Sequence, residues 1–93
     1  MSGYQFHFEV SARMIHDLHL KGNHLLVFAL LDHYTKKNGF CVHSCGTIAD
    51  MLGLNFGTVA NAIRSLQKHN RYIEIEKSYT SDNDLVHKIR TIV

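Results

Sequence analysis

The spacing of hydrophobic residues divides the N-terminal part of the chain into an extended stretch and two helices. Between Tyr4 and Val10 every second residue is aromatic or aliphatic, which is typical of a half-buried strand or an extended arm over residues 1–10. Ser11 is a favourable N-cap, so a short helix is predicted to follow it. A second helix is predicted for residues 23–36, and its run of residues 25–31 is apolar on nearly every side. We therefore expect this helix at the centre of the domain or of a dimer.

Residues 40–70 are predicted to form a short connector and two further helices. Residues 40–43 have an extended pattern, and Ser44 is a plausible N-cap for a helix over residues 45–52. Gly53-Leu54-Asn55 has the composition of a tight turn, with Asn55 placed to cap the next helix. That helix is predicted for about residues 56–70, and its apolar stripe at i, i+3, i+4 and i+7 consists of Val59, Ala62, Ile63 and Leu66.

The C-terminal residues alternate again. Ile73 and Ile75 are predicted to share one face of a strand, and Glu74 and Glu76 the other face. Turn-forming residues at 81–84 and a β-prone run over residues 85–93 complete a predicted two-stranded hairpin. The predicted fold class is α+β and mainly helical, with three to four helices and a C-terminal hairpin in a single domain of residues 1–93.

Three residues within the segment 47–66 have the spacing of a helix-turn-helix. Ala49 lets two helices cross closely, Gly53 tolerates the left-handed backbone of the turn, and Val59 fixes the second helix on the first. A hairpin that follows such a helix pair directly completes the order of elements in a winged domain. The sequence therefore predicts a winged helix-turn-helix, with the helix-turn-helix at residues 45–70 and the wing at residues 72–93.

The charge distribution favours nucleic acid as the partner. The formal net charge is only +2, but residues 51–73 contain no Asp or Glu and carry Arg64, Lys68 and Arg71. We expect the basic face of the second helix to enter the major groove of double-stranded DNA. With Val59 pointing to the core, the residues that point away are Gly57, Asn61, Arg64 and Lys68, flanked by Thr58 and Ser65.

Each residue of this face has an expected contact. Asn61 and Arg64 can bind adenine and guanine edges in bidentate fashion, and Lys68 is placed for phosphate. Gly57 allows a close approach of the helix to DNA, and Phe56 can pack on a thymine methyl group. On the wing, the basic residues of the strands are expected to approach the DNA backbone, although the tip is acidic. The predicted DNA-binding residues are Ser44, Asn55, Phe56, Gly57, Thr58, Asn61, Arg64, Ser65, Lys68, Lys77, Lys88 and Arg90.

The stretch from Asp17 to Glu76 resembles winged helix-turn-helix proteins of bacteria and phages. It is similar to the DNA-binding domains of plasmid and phage replication initiators and of small phage regulators of Gram-positive bacteria. The resemblance covers about two-thirds of the chain and implies a small transcriptional regulator or an origin-binding replication protein, although a shared fold does not fix a biological role. The residues that carry it are Gly39-Phe40, Ser44, Gly53, Thr58-Val59 and the run from Leu66 to Ile73.

Other classes of function find little support in the residues. The longest apolar run is far shorter than the ~20 residues of a membrane helix, and no secretion-signal layout is present, so we expect a cytoplasmic protein without membrane contact. Cys41-x-His43-x-Cys45 lacks the ligand spacing of zinc sites, and we expect no metal or other cofactor. No nucleophile elbow, phosphate loop or carboxylate pair indicates an enzyme or a small-molecule substrate.

Two alternative functions and a homodimer are also considered. The fold can serve as a protein-interaction module or a phage-encoded inhibitor that does not bind DNA, which the acidic wing tip at Asp82 and Asp84 favours. The eight histidines suggest a metal or pH sensor, and their protonation would add eight charges and strengthen DNA binding in mild acid. A homodimer on a palindromic site would be held by residues 25–31 or by the arm at Tyr4-Phe6-Phe8, unless arm and helix cover each other within one chain.

Overall fold

The computed structural model describes residues 8–93, which form four helices and one two-stranded antiparallel sheet. This composition confirms the predicted α+β class and the predicted order of elements. No helix within residues 8–93 is both long and apolar enough to pass through a membrane. The elements are α1 (Ala12–His16), α2 (Gly22–Asn38), α3 (Cys45–Leu52), α4 (Phe56–Lys68), β1 (Ile73–Tyr79) and β2 (Leu85–Thr91).

Helix α2 is the central element of the core, as the sequence predicted. All of its residues from Val27 to Asp32 are buried, and the helix packs mainly against α4 and β2. The apolar run of residues 25–31, which suggested a dimer, is therefore largely covered within one chain. The other predicted dimer surface, the arm at Tyr4-Phe6-Phe8, lies outside the described residues except for Phe8, which packs half-buried against the core.

Local hydrogen bonds define the helix ends close to the predicted positions. The Ser11 side chain accepts a hydrogen bond from the Met14 N–H at 3.4 Å and caps α1. Gly39 ends α2 with φ +89°, and its N–H donates to the Thr35 carbonyl at 2.7 Å. Glycine adopts such a left-handed backbone conformation without a steric cost. Helix α2 is slightly longer than the predicted residues 23–36, and α4 ends at Lys68 rather than near residue 70.

The C-terminal hairpin has two different faces. Strand pairing places Ile75 opposite Ile89 and Lys77 opposite His87. Because paired residues share a face and successive residues alternate, the isoleucines lie on the face that packs on the helices, which we call the inner face. The outer face carries the charged residues Glu74, Glu76, Lys88 and Arg90.

The connector between α2 and α3 pairs with the hairpin, which the sequence did not predict. The Cys41 N–H donates to the Ile89 carbonyl at 2.7 Å, and the Ile89 N–H donates back to the Cys41 carbonyl at 2.8 Å. Both residues are buried. The pairing joins β2 to the segment that leads into α3, so it fixes the hairpin relative to the two helices that follow.

A polar network holds the end of β2 on α2. Asp32 is only 8% exposed, and its carboxylate accepts a hydrogen bond from the Thr91 hydroxyl at 2.8 Å and contacts Lys36 at 3.0 Å. The Thr91 N–H donates to the Thr35 hydroxyl at 3.1 Å. A buried carboxylate is stable only with such partners, and every buried side-chain N or O atom of the described residues has one.

Candidate nucleic-acid interface

Helices α3 and α4 are joined by the turn Gly53-Leu54-Asn55, whose geometry follows from its residues. Gly53 has φ +70°, and its N–H lies 3.4 Å from the Asp50 carbonyl. The Leu54 N–H donates to the Ala49 carbonyl at 2.9 Å. These two bonds close the last turn of α3 and reverse the chain within three residues. Ala49 is buried and Val59 is fully buried, in agreement with the packing roles that the sequence predicted for them.

Ser44 and Asn55 cap the two helices, as predicted. The Ser44 Oγ accepts from the Thr47 N–H at 3.1 Å and also donates to the Thr47 hydroxyl at 3.1 Å. The Asn55 Oδ1 accepts from the Thr58 N–H at 2.8 Å. Both side chains were also predicted to contact DNA, and both are exposed. The Ser44 hydroxyl proton is already used inside the protein, whereas the Asn55 amide N–H groups have no partner among residues 8–93 and remain available to a ligand.

The two sides of α4 differ sharply in burial. Its inward stripe of Val59, Ala62, Ile63 and Leu66 is buried against α2 and α3. On the opposite side, Gly57, Asn61, Arg64 and Lys68 are exposed, with Thr58 and Ser65 half-buried at the edges. The predicted helix phase is therefore confirmed. Within the described part of the chain, Asn61, Arg64 and Lys68 have no hydrogen-bond or ion-pair partner.

Phe56 begins α4 and is 62% exposed. A Cβ added at Gly46, near the start of α3, would lie 4.0 Å from the Phe56 Cδ2. The ring therefore lies over the first turn of α3, and the N-terminal ends of the two helices are adjacent. An aromatic ring this exposed adds little to the core, so its apolar surface is available to a partner.

The N-terminal end of α2 also reaches this surface, which the sequence analysis missed. Lys21, Asn23 and His24 line an open groove together with Thr58 and Asn61 of α4. The N-cap residue Lys21 makes no side-chain cap hydrogen bond. The only local signal was Lys21-Gly22-Asn23 at a predicted helix start, and its position beside α4 depends on how the helices pack.

Helices α2, α3 and α4 therefore all begin around the N-terminal half of α4. None of the three has an acidic residue in its first turn. A helix N-terminus carries a partial positive charge, roughly half an elementary charge, which favours a nearby anion. The outer side of α4 and the helix starts beside it form one electropositive surface, which we call the α4 surface.

The three basic residues predicted on the wing do not lie together. Lys77 is exposed on the inner face of the hairpin, whereas Lys88 and Arg90 lie on the outer face. The Arg90 Nη2 is 3.3 Å from Glu74 Oε1 and 3.9 Å from Glu76 Oε2. The Lys88 Nζ lies 4.7 Å from the centre of the Phe40 ring. Lys88 and Arg90 thus have partners within the protein, whereas Lys77 has no hydrogen-bond or ion-pair partner among the described residues.

The cysteine and histidine residues of the connector do not form a metal centre in this arrangement. No group of three or more His, Cys, Asp or Glu residues within residues 8–93 is placed to hold a metal ion. Burial raises the pKa of the Cys41 thiol, and a hydrogen bond from the His43 backbone opposes this shift. Burial also raises the pKa of the Cys45 thiol. Neutral thiols are poor metal ligands and poor nucleophiles.

No protein-family model, curated protein or solved structure matches the chain. The assignment of the candidate interface therefore rests on the geometry of its residues. The resemblance to winged helix-turn-helix domains stays a prediction from the sequence.

Proposed function

We propose that the protein is a winged helix-turn-helix protein that binds double-stranded DNA with the outer side of α4 in the major groove. Its role would be that of a small transcriptional regulator or an origin-binding replication protein of a bacterium, phage or plasmid. The observation that carries the proposal is the exposed side of α4, on which Asn61, Arg64 and Lys68 lack partners among the described residues while the opposite side is fully packed.

The side chains on this helix match the chemistry of base edges. Arg64 can donate two hydrogen bonds to guanine, and Asn61 can donate to and accept from adenine. Gly57 has no side chain, so the first turn of α4 can come close to the bases. Phe56 offers an apolar ring to a thymine methyl group. These contacts would supply sequence preference, because the major groove presents a different pattern for each base pair.

The surroundings of α4 match the chemistry of the phosphate backbone. Three acid-free helix starts meet there, and Lys21 and Lys68 are exposed at its margins. Phosphate contacts orient a protein on the duplex and supply most of the affinity that does not depend on sequence. On the hairpin we assign a backbone contact to Lys77 rather than to Lys88 or Arg90, because the latter two lie on the opposite face with partners of their own.

The test is selection from random-sequence duplex DNA, followed by measurement of the Kd of the selected site at about 50 mM and about 200 mM salt. We expect an enriched sequence and a Kd that rises steeply with salt, with a log–log slope of roughly −0.9 per phosphate contacted. Duplexes with scrambled sequence serve as the control. No measurable binding to any duplex at the lower salt would exclude the proposal.

A protein-interaction function is favoured by one observation, at the far end of the hairpin. Tyr79 and Leu85 pair across the two strands and are 70% and 49% exposed, next to the acidic turn with Asp82 and Asp84. An exposed apolar pair beside negative charge suits a basic protein surface better than DNA. If the selection fails, a Tyr79→Ser variant would be compared with the wild type for binding to candidate protein partners.

A further inference from the structure

Two histidines, His43 and His87, line one groove between β2 and the start of α3. Cys41 forms an isolated antiparallel bridge with Ile89, and the connector and β2 separate beyond it. His43 is two residues past Cys41 and His87 is two residues before Ile89, so they stand on opposite walls of the opening. The groove is lined by Val42, His43, Ser44, Cys45, Leu85, Val86, His87 and Ile89.

The side chains that line this groove carry no negative charge, and the exposed Asp84 is the chain neighbour of the lining residue Leu85. From α2, the Tyr34 ring contacts the His43 ring edge-on, with 4.8 Å between centres. From α3 comes the Cys45 thiol, and burial raises its pKa. From β1, the side chain opposite His87 is that of Lys77. Among the described residues, no Asp or Glu lines the groove.

We infer that this groove binds a phosphate group of the DNA backbone when His43 and His87 are protonated. The inference rests on the proposed function, because Ser44 lines the groove and lies close to the start of α4: a Cβ added at Gly46 would be 3.8 Å from the Ser44 Oγ and 4.0 Å from the Phe56 Cδ2. The α4 surface predicts affinity that depends on salt, and it contains one histidine, His24, in the groove beside Asn61. The two histidines add a dependence on pH that belongs to this groove.

The direction of the pH effect follows from the charges. Histidine gains its proton between about pH 5 and pH 8, and a protonated imidazole donates charge-assisted hydrogen bonds to phosphate. Bound phosphate stabilises the charged form, so the complex retains its protons to a higher pH than the free protein. Binding is therefore strongest in mild acid and weakens as the pH rises.

The experiment measures the Kd for the selected duplex at pH 6 and pH 8 at constant ionic strength. The wild type should bind roughly tenfold tighter at pH 6, the lower end of what one hydrogen bond to a charged group provides. His43→Asn and His87→Asn should each lose part of this ratio, and the double variant should lose more of it than His24→Asn, which removes the histidine beside α4. The control is His16→Asn, which removes an exposed histidine of α1 that is distant in sequence from the groove residues. This variant should keep the wild-type ratio.

A double variant that keeps the full ratio would overturn the inference, and so would a His16→Asn variant that loses as much as His87→Asn. Either result would leave the proposed DNA binding intact, with its pH dependence assigned to net charge. If the wild type binds no duplex, the proposed function fails, and inorganic phosphate is then titrated while the imidazole NMR signals are followed. Shifts confined to His43 and His87 would retain the groove as an anion site, and unchanged signals would reject it.

Discussion

The outer side of α4 and the outer face of the hairpin both carry basic residues, but they differ in what surrounds these residues. Arg90 lies between Glu74 and Glu76, and Lys88 lies over the Phe40 ring. Arg64 and Lys68 are exposed, as Arg90 is, yet within residues 8–93 no carboxylate or ring contacts them. A count of cations therefore does not locate an anion-binding surface, because a paired cation contributes little field outside the protein.

The difference has its origin in the sequence around each region. The first four residues of β1 alternate Ile and Glu, so two of the three residues that turn away from the core, Glu74 and Glu76, bring a negative charge. Helix α4 has no acidic residue at all, and its outward positions hold glycine, amide and basic side chains. Glutamates on the outer face of the hairpin also repel a DNA backbone.

Substitutions in the buried stripe of α4, beneath the α4 surface, should have the largest effect on stability. Val59→Asp would bury an unpaired carboxylate at a fully buried position between the helices, and we expect a loss of roughly 4 kcal/mol or more of unfolding free energy. Thermal or urea unfolding measures the effect. Asn61→Asp, two residues away on the exposed side, is the matched control, which should fold normally but lose DNA binding. A cooperative wild-type transition for Val59→Asp would contradict the packing described above.

Arg64 on the outer side of α4 and Arg90 on the outer face of the hairpin give the most direct comparison of these two surfaces. Arg64→Ala should weaken binding to the selected duplex by ~1–3 kcal/mol and relax the base preference at one position. Arg90→Ala removes only an exposed ion pair with glutamates, so DNA affinity should stay the same and stability should fall by less than ~1 kcal/mol. Fluorescence anisotropy of labelled duplexes measures both. Equal losses of affinity for the two variants would mean that the hairpin's outer face binds DNA as well.

Replacing Lys68 and replacing Lys88 should change the salt dependence of DNA binding differently. Lys68→Ala should weaken binding to all duplexes by a similar factor and reduce the log–log salt slope by roughly 0.9, which corresponds to one phosphate contact. Lys88→Ala should leave the slope unchanged, because its ammonium group lies over the Phe40 ring. Titrations at several salt concentrations with specific and scrambled duplexes distinguish the two. A change of slope only in Lys88→Ala would reverse the assignment.

The smallest effect is expected at Gly57, where stability and binding should change in opposite directions. A Cβ at this position would approach only the Asn55 Oδ1, at 3.6 Å, an ordinary contact. Gly57→Ala should therefore stabilise the protein, by up to ~1 kcal/mol from helix propensity. The added methyl group would separate α4 from the bases, so DNA affinity should fall. Affinity that rises together with stability would show that DNA does not approach this turn.

Features that depend on a few neighbouring residues were predictable from the sequence. The caps at Ser11, Ser44 and Asn55, the glycine ends at Gly39 and Gly53, and the apolar stripe of α4 appear at the predicted positions. Each is set by hydrogen bonds or side-chain spacing within about one helical turn. Because the stripe fixes the phase of α4, the exposed residues Gly57, Asn61, Arg64 and Lys68 could also be identified without the structure.

Only the tertiary structure decided which of these residues have neighbours from distant parts of the chain. The pairing of Cys41 with Ile89, the groove that joins Lys21 and His24 to Asn61, and the approach of His87 to His43 all connect residues far apart in sequence. Strand register decided that Arg90 lies between two glutamates. A pattern of side chains fixes which face of an element is buried, but the element that covers that face is selected by the packing of the whole core, where contacts are long-range and cooperative.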